Sequence, residues 1–207
     1  DFLRLVDGSS EADKDRMLRE AVRNPESDWY HRTASADFQK VPGSPIAYWI
    51  TERARDTFVQ FPKISSISTS AVGQNTGDND RFLRYWYEVA YQRIDKNCSS
   101  TKSTFTAQLK WYPYNKGGGY RKWYGNFCYV VNWQNDADEI KKYAVERNAG
   151  KHWSRYIQNL EWLFHEGITW SDVTSGRLSC RYLPKGYISD VSGHCAFFKE
   201  VSPKVGL

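Results

Sequence analysis

The 207 residues are enough to bury one sizeable core, or one domain together with part of another. A net charge of +5, from 29 basic against 24 acidic side chains, permits a polyanionic partner but falls far short of the saturated basicity of a histone-like binder. Aromatic residues make up 16% of the chain and Trp occurs nine times, so large rings must fill the core, form a recognition surface, or do both. No apolar run approaches the roughly 18 residues that suggest a membrane span, and the opening DFLRLVDGSS carries charge where a signal peptide needs an apolar stretch. A cytoplasmic protein with no membrane partner is expected. Cys98, Cys128, Cys180 and Cys195 are scattered without the paired spacing of a zinc site, which predicts reduced, structural thiols and no metal; His194 beside Cys195 is the one residual hint of a ligand pair.

In chain order, Phe2, Leu3, Leu5 and Val6 read as the tail of a buried strand, which suggests a piece of something larger. Ser10 caps an amphipathic helix through SSEADKDRMLREAV, with Met17, Leu18, Ala21 and Val22 on one face. The following NPESDWYHRTASADFQKV is polar and aperiodic, so residues 23–40 are expected to link a terminal piece, 1–22, to a second domain, 41–207. In GSPIAYWITERARDTFVQFP, Ser44 is the predicted cap, Pro45 the first helical residue, and Ile46, Trp49, Ile50 and Phe58 the apolar face until Pro62. Beyond residue 63 come short β-rich runs, KISSISTSAV, RFLRYWYEV, STFTAQLKWY and GNFCYVVNW, set apart by Gly, Asn and Asp. A helix is predicted over 138–148 with Gly150 ending it, then a short helix carrying Tyr156, Leu160, Leu163 and Phe164, then strands in RLSCRYLP and GYISDV. The fold class read from this order is α+β, mostly β after residue 63, with several short helices.

Few motifs carry chemistry. Asn24-Pro25-Glu26-Ser27 lacks the second proline and the aromatic platform of a base-holding methyltransferase loop and reads as a turn. Gly117-Gly118-Gly119 follows no apolar strand directly and has Lys122 where the dinucleotide fingerprint needs its third glycine. Asp78 and Asp80 lack the remaining ligands of a calcium loop, and His165-Glu166 lacks a second histidine. No catalytic centre assembles, so the chain by itself is not expected to be an enzyme. The stretch KWYPYNKGGGYRKWYGN, 110–126, is different: six rings, four cations and four glycines without an acid. Its cations can meet phosphates, its glycines allow close backbone approach, and its rings can stack on bases. The competing reading is a glycine-rich hairpin whose rings fill a β core while its cations are solvated.

Longer blocks carry a resemblance. GQNTGDNDRFLRYWYEV (73–89), KWYPYNKGGGYRKWYGNFCYVVNWQND (110–136) and HEGITWSDVTSGRLSCRYLPKGYISDVSG (165–193) resemble, in order, the large adenine-specific DNA methyltransferases of BREX phage-exclusion systems, the PglX family. FLRLVDGSSEADK and FQKVPGSPIAYWITER are similar to the same proteins. The resemblance implies a region after the catalytic domain, since the family's S-adenosylmethionine loop and Asn-Pro-Pro-Tyr motif do not occur here. No cofactor is then expected in this chain, with S-adenosylmethionine belonging to the parent enzyme. Residues 1–22 would then be the tail of the methyltransferase domain, a strand plus a helix, and residues from about 41 a target-recognition domain with double-stranded DNA as partner, holding the duplex while an adenine is extruded. Candidate DNA-binding residues are Thr76, Asn79 and Arg81 in TGDNDRF; Lys116, Arg121, Lys122 and Trp123 in the glycine-rich segment; Thr169, Trp170 and Ser171 in GITWS; and Lys185 in LPKGY. Base-choosing residues are expected between the shared blocks, around 92–109 or 143–161. The resemblance also implies the methyltransferase domain of the same protein as a partner. The alternative is a protein-interaction module docking that domain, another BREX subunit or a phage inhibitor. A carbohydrate-binding module, which would also use exposed rings, fits the motifs less well.

Overall fold

The structure is a computed structural model and describes residues 1–174 and 176–198. It divides into two compact units, Asp1–Ser66 and Ile67–Leu207. In the first, β1 (Phe2–Leu3) pairs antiparallel with β2 (Tyr30–His31), and α1 (Glu11–Arg23) lies between them in sequence. Ser10 caps α1 as its sequence predicts, its hydroxyl accepting from the Asp13 amide at 3.1 Å, and Met17 and Ala21 are buried. Two shorter helices follow, α2 (Ser35–Phe38) and α3 (Glu52–Gln60).

The helix predicted from Ser44 begins only at Glu52. Ser44 adopts a positive φ of 47°, Tyr48 is drawn off to stack on Phe2 at 4.6 Å, and Thr51 provides the cap by accepting from the Ala54 amide at 3.3 Å. The expected apolar face therefore does not form as such, and Ile46, Trp49 and Phe58 are exposed. No helix among the described residues is long and apolar enough to cross a membrane.

α4 (Ile64–Ile67) spans the division and leads into β3 (Ser68–Ala71), the first strand of the second unit, where α5 (Asn79–Phe82) leads into β4 (Leu83–Tyr85). Next come α6 (Ser103–Ala107), β5 (Trp111–Asn115), β6 (Tyr129–Asn132) and α7 (Gln134–Arg147), then β7 (Gly167–Thr169), β8 (Arg181–Leu183), β9 (Ile188–Ser189) and β10 (Cys195–Phe198). Two four-stranded sheets result, ordered β3-β10-β7-β8 and β4-β6-β5-β9, antiparallel except for the β5–β9 pair. The fold is α+β.

Alternation along β5 sends Tyr112 and Tyr114 into one core with Phe82, Val131, Trp133 and Ile140, each worth about 1.5–3 kcal/mol of burial. α7 supplies Ile140. Its first residues, Asn135, Asp136 and Ala137, all have positive φ, so regular helix starts at Asp138. Gly150, at φ +77°, ends it by donating to the Val145 carbonyl at 2.9 Å.

Two further expectations are corrected. The β-rich run 103–112 begins as α6, because Ser100 caps the Ser103 amide and Thr104, fully buried, accepts from the Asp136 amide at 2.8 Å. The stripe Tyr156, Leu160, Leu163 and Phe164 belongs to separate 3-10 turns, Trp153–Arg155 and Leu160–Trp162, and their flanks. Leu163 and Phe164 nonetheless reach the core.

All four cysteines are free thiols. Cys128 is exposed, Cys180 half-buried, and Cys98 and Cys195 buried; burial pushes the Cys195 thiol up to about 11. An aromatic disulfide reagent on the native chain should titrate Cys128 first, Cys180 more slowly, and Cys98 and Cys195 only after denaturant is added. Rapid native labelling of all four would contradict this burial.

Candidate nucleic-acid interface

The rings of segment 110–126 divide between core and surface. Tyr112 and Tyr114 are fully buried and Trp111 is half-buried, whereas Tyr120, Trp123 and Tyr124 are exposed, Trp123 at 51%. The division follows the strand boundary. Rings on β5 are fixed by the pleat, and those in the 116–128 connection to β6 are released from it.

That connection is held at its base by polar contacts. The Ser171 hydroxyl donates to the Gly118 carbonyl at 2.8 Å, and Ser192 donates to the Lys116 carbonyl at 2.7 Å. Ser179 bonds both backbone groups of Arg121, accepting from its amide at 3.2 Å and donating to its carbonyl at 2.8 Å. The Trp123 carbonyl accepts from the Tyr182 amide at 2.8 Å, tying the segment to β8; the Lys122–Trp123 peptide is cis. With its backbone anchored in this way, the connection turns the Arg121 and Lys122 side chains outward. Neither shares an ion pair with a carboxylate among the described residues, and the Lys122 ammonium lies 5.3 Å from the Trp123 ring. Unpaired cations beside flat exposed rings suit a polyanion carrying bases.

Gly117 sits at φ +79°, and a Cβ there would approach the Ser192 carbonyl oxygen at 2.7 Å; Gly119 has nothing within 4 Å of such a Cβ. Gly117→Ala should therefore lower the stability of the unit by about 1–3 kcal/mol, while Gly119→Ala should be neutral or slightly stabilising. Thermal unfolding of the two variants checks this, and equal behaviour would remove the argument for a constrained loop base.

Beneath the loop lies a side chain that sequence reasoning did not single out. Arg181 is fully buried on β8, donating to the Ser179 carbonyl at 3.0 Å and hydroxyl at 2.6 Å, while its Nε and Nη2 have no hydrogen-bond partner among the described residues. Burial lowers its pKa. Its position in RLSCRYLP looks like that of any surface cation on a short strand, so no sequence signal distinguishes it.

The other candidates take up different places. Thr169 is fully buried and accepts from Asn115 at 2.8 Å, Ser171 is buried against the loop, and Trp170 is half-buried with its ring edge-on to His194 at 6.1 Å. Of these, Ser171 holds the segment directly and Thr169 holds Asn115 at the end of β5. Lys116 is partly exposed and pairs with the buried Asp190 carboxylate at 3.6 Å. Asn79 and Lys116 line one hollow with Arg84. Thr76 is buried and donates to Asn79 at 2.8 Å, and Arg81 lies over the Phe82 and Tyr143 rings at 5.0 and 5.3 Å. Lys185 stands apart, exposed and 3.7 Å from Glu166. Among the described residues no group of three or more His, Cys, Asp or Glu side chains is placed to hold a metal ion.

No protein-family model matches the chain. Two curated proteins, both adenine-specific methyltransferases, match almost all of it, and over that span the chain belongs to their family. They are PglX of Lacticaseibacillus casei strain Zhang, 38% identical over 201 residues, and BrxX of Escherichia coli O9:H4 strain HS, 34% identical over 196. The matches cover 96% and 95% of this chain but only 16% and 14% of the relatives' lengths.

Proposed function

We propose that this chain is the DNA-binding, target-recognition portion of an adenine-specific DNA methyltransferase of the BREX type, with residues 41–207 forming the recognition domain. The parent enzyme would transfer a methyl group from S-adenosylmethionine to an adenine N6, using a catalytic domain outside this chain. The observation that carries the proposal is the acid-free 116–128 connection, with Arg121 and Lys122 unpaired beside three exposed rings on a rigid base. A base cannot be methylated at N6 inside the stack, so the duplex must be gripped while the target is extruded. Arg121 and Lys122 would take phosphates, Trp123 would lie against the backbone or a base, and Asn79, Lys116 and Arg81 would flank them. Thr76, Thr169, Trp170 and Ser171 would act by holding these groups in place, and Lys185 would add a more distant phosphate contact.

Binding of the chain to a labelled duplex across a salt series tests this. Log affinity should fall steeply and linearly with log salt. A folded chain that shows no salt-dependent binding would overturn the proposal. A second reading, docking to the methyltransferase domain or to a protein inhibitor, is favoured by the exposed cluster Trp86, Tyr87 and Tyr91. It predicts that these rings, rather than Arg121 and Lys122, control association.

A further inference from the structure

The face of the β4-β6-β5-β9 sheet opposite the Tyr112–Tyr114 core is not closed. A cavity of about 410 Å³ opens there, within the usual range of small-molecule pockets. Pro113 and Val130 form its floor, because alternate residues of β5 and β6 point away from the core. Its walls are aromatic: Trp86, Tyr91, Tyr124, Phe127 and Tyr187. Phe127 packs against Tyr124 at 5.0 Å and Tyr187 at 4.7 Å, so part of the wall is already ordered. Trp86 and Tyr91 are both at least half exposed.

The charge pattern narrows the ligand. Among the described residues Lys96 is the charged residue lining this basin, its ammonium 3.4 Å from the Tyr91 ring centre, and no carboxylate lines it. Lys96 also lines an adjoining cavity of about 440 Å³ with His165 and Lys185; among the described residues no carboxylate is in its lining, and Lys185 pairs with Glu166, which lies outside that lining, at 3.7 Å. An aromatic basin and a cationic basin thus share one lysine. A flat ring covalently joined to an anionic group complements that pair, whereas an unmodified aromatic side chain carries no anion of its own.

We propose that the aromatic basin receives an unpaired nucleobase of bound DNA, with the flanking phosphates lying along Lys96 toward Lys185. The site shares Tyr124, Gly125 and Phe127 with the 116–128 connection but takes in neither Arg121 nor Lys122, and it rests on the DNA-binding reading. It gives the chain a way to hold a base displaced from the stack, or its orphaned partner, outside any catalytic pocket.

The test uses 2-aminopurine in three DNAs: a fully paired duplex, a duplex with the probe as a single unpaired base, and a single strand. The unpaired-base duplex should bind about tenfold more tightly than the paired one, with its fluorescence quenched on stacking. A Trp86→Ala/Tyr91→Ala variant, altered only at exposed rings, should lose both effects while keeping the paired duplex's affinity and salt slope. If the paired duplex binds with steep salt dependence but the unpaired base adds neither affinity nor quenching, the basin is not a base site and the DNA-binding reading survives. If neither duplex binds, that reading fails and the single strand decides the basin: quenching by the native chain but not the variant supports it, and no quenching overturns it.

Discussion

Replacing Arg121 and Lys122 together by alanine is expected to reduce the slope of log affinity against log salt by roughly two units and to weaken duplex binding about a hundredfold at moderate salt. Each side chain is exposed and without a carboxylate partner among the described residues, so each is available to displace a condensed counterion. A charge-assisted hydrogen bond contributes about 1.5 kcal/mol or more, and two of them give the expected loss. Folding should be unaffected. Their side chains take no part in the core, and the Ser179 and Tyr182 contacts that anchor the segment go to the backbone of 121 and 123. Duplex titrations with both proteins, beside their thermal unfolding curves, check the result. An unchanged slope in a folded variant would assign the segment to structure alone and move attention to the exposed rings around Trp86.

The second large effect concerns stability. Asp190 is 4% exposed and joins several parts of the second unit. Its carboxylate accepts from the Tyr114 hydroxyl at 2.8 Å, from the Ser192 amide at 2.8 Å and from the Ser192 hydroxyl, and it faces the Lys116 ammonium at 3.6 Å. Burial and the neighbouring Asp190 charge hold the Tyr114 phenol well above its ordinary pKa, which keeps it a neutral donor. Asp190→Ala would strand that hydroxyl in the core with only the Gln74 carbonyl, at 2.9 Å, left to accept from it, and would leave Lys116 unpaired. The expected cost is about 3–5 kcal/mol, a fall of roughly 10 °C in unfolding temperature. Asp190→Asn retains an acceptor and should cost distinctly less. Equal losses, or none, in circular-dichroism melts would show that the cluster does not hold the loop base.

What could be read from the residues, and what could not, follows a physical line. The Ser10 cap, the start of regular helix at Asp138, its end at Gly150 and the strand in GNFCYVVNW were legible, because caps, glycine turns and short β-branched runs act over a few residues. The Ser44–Pro45 start was misleading: it has the right local chemistry, but Ser44 takes a left-handed φ and Tyr48 stacks on Phe2. Residues 103–107 have strand-forming composition, yet the Thr104 contact with Asp136, distant in sequence, favours a helical turn. Arg181 shows the limit most clearly, since nothing in RLSCRYLP distinguishes a buried guanidinium from a solvated one.

The sequence by itself determined the α+β class, the basic, acid-free and aromatic character of 110–126, and through its long blocks the kinship with adenine-specific methyltransferases. Only the tertiary structure decided which rings of that segment are buried, that Lys116 is paired with Asp190 while Arg121 and Lys122 are not, and that rings from 86 to 187 close around one cavity beside Lys96. The reason is range. Composition and capping are local properties of the chain, whereas burial and ion pairing depend on strand order, which brings residue 190 beside 114 and 181 beside 123.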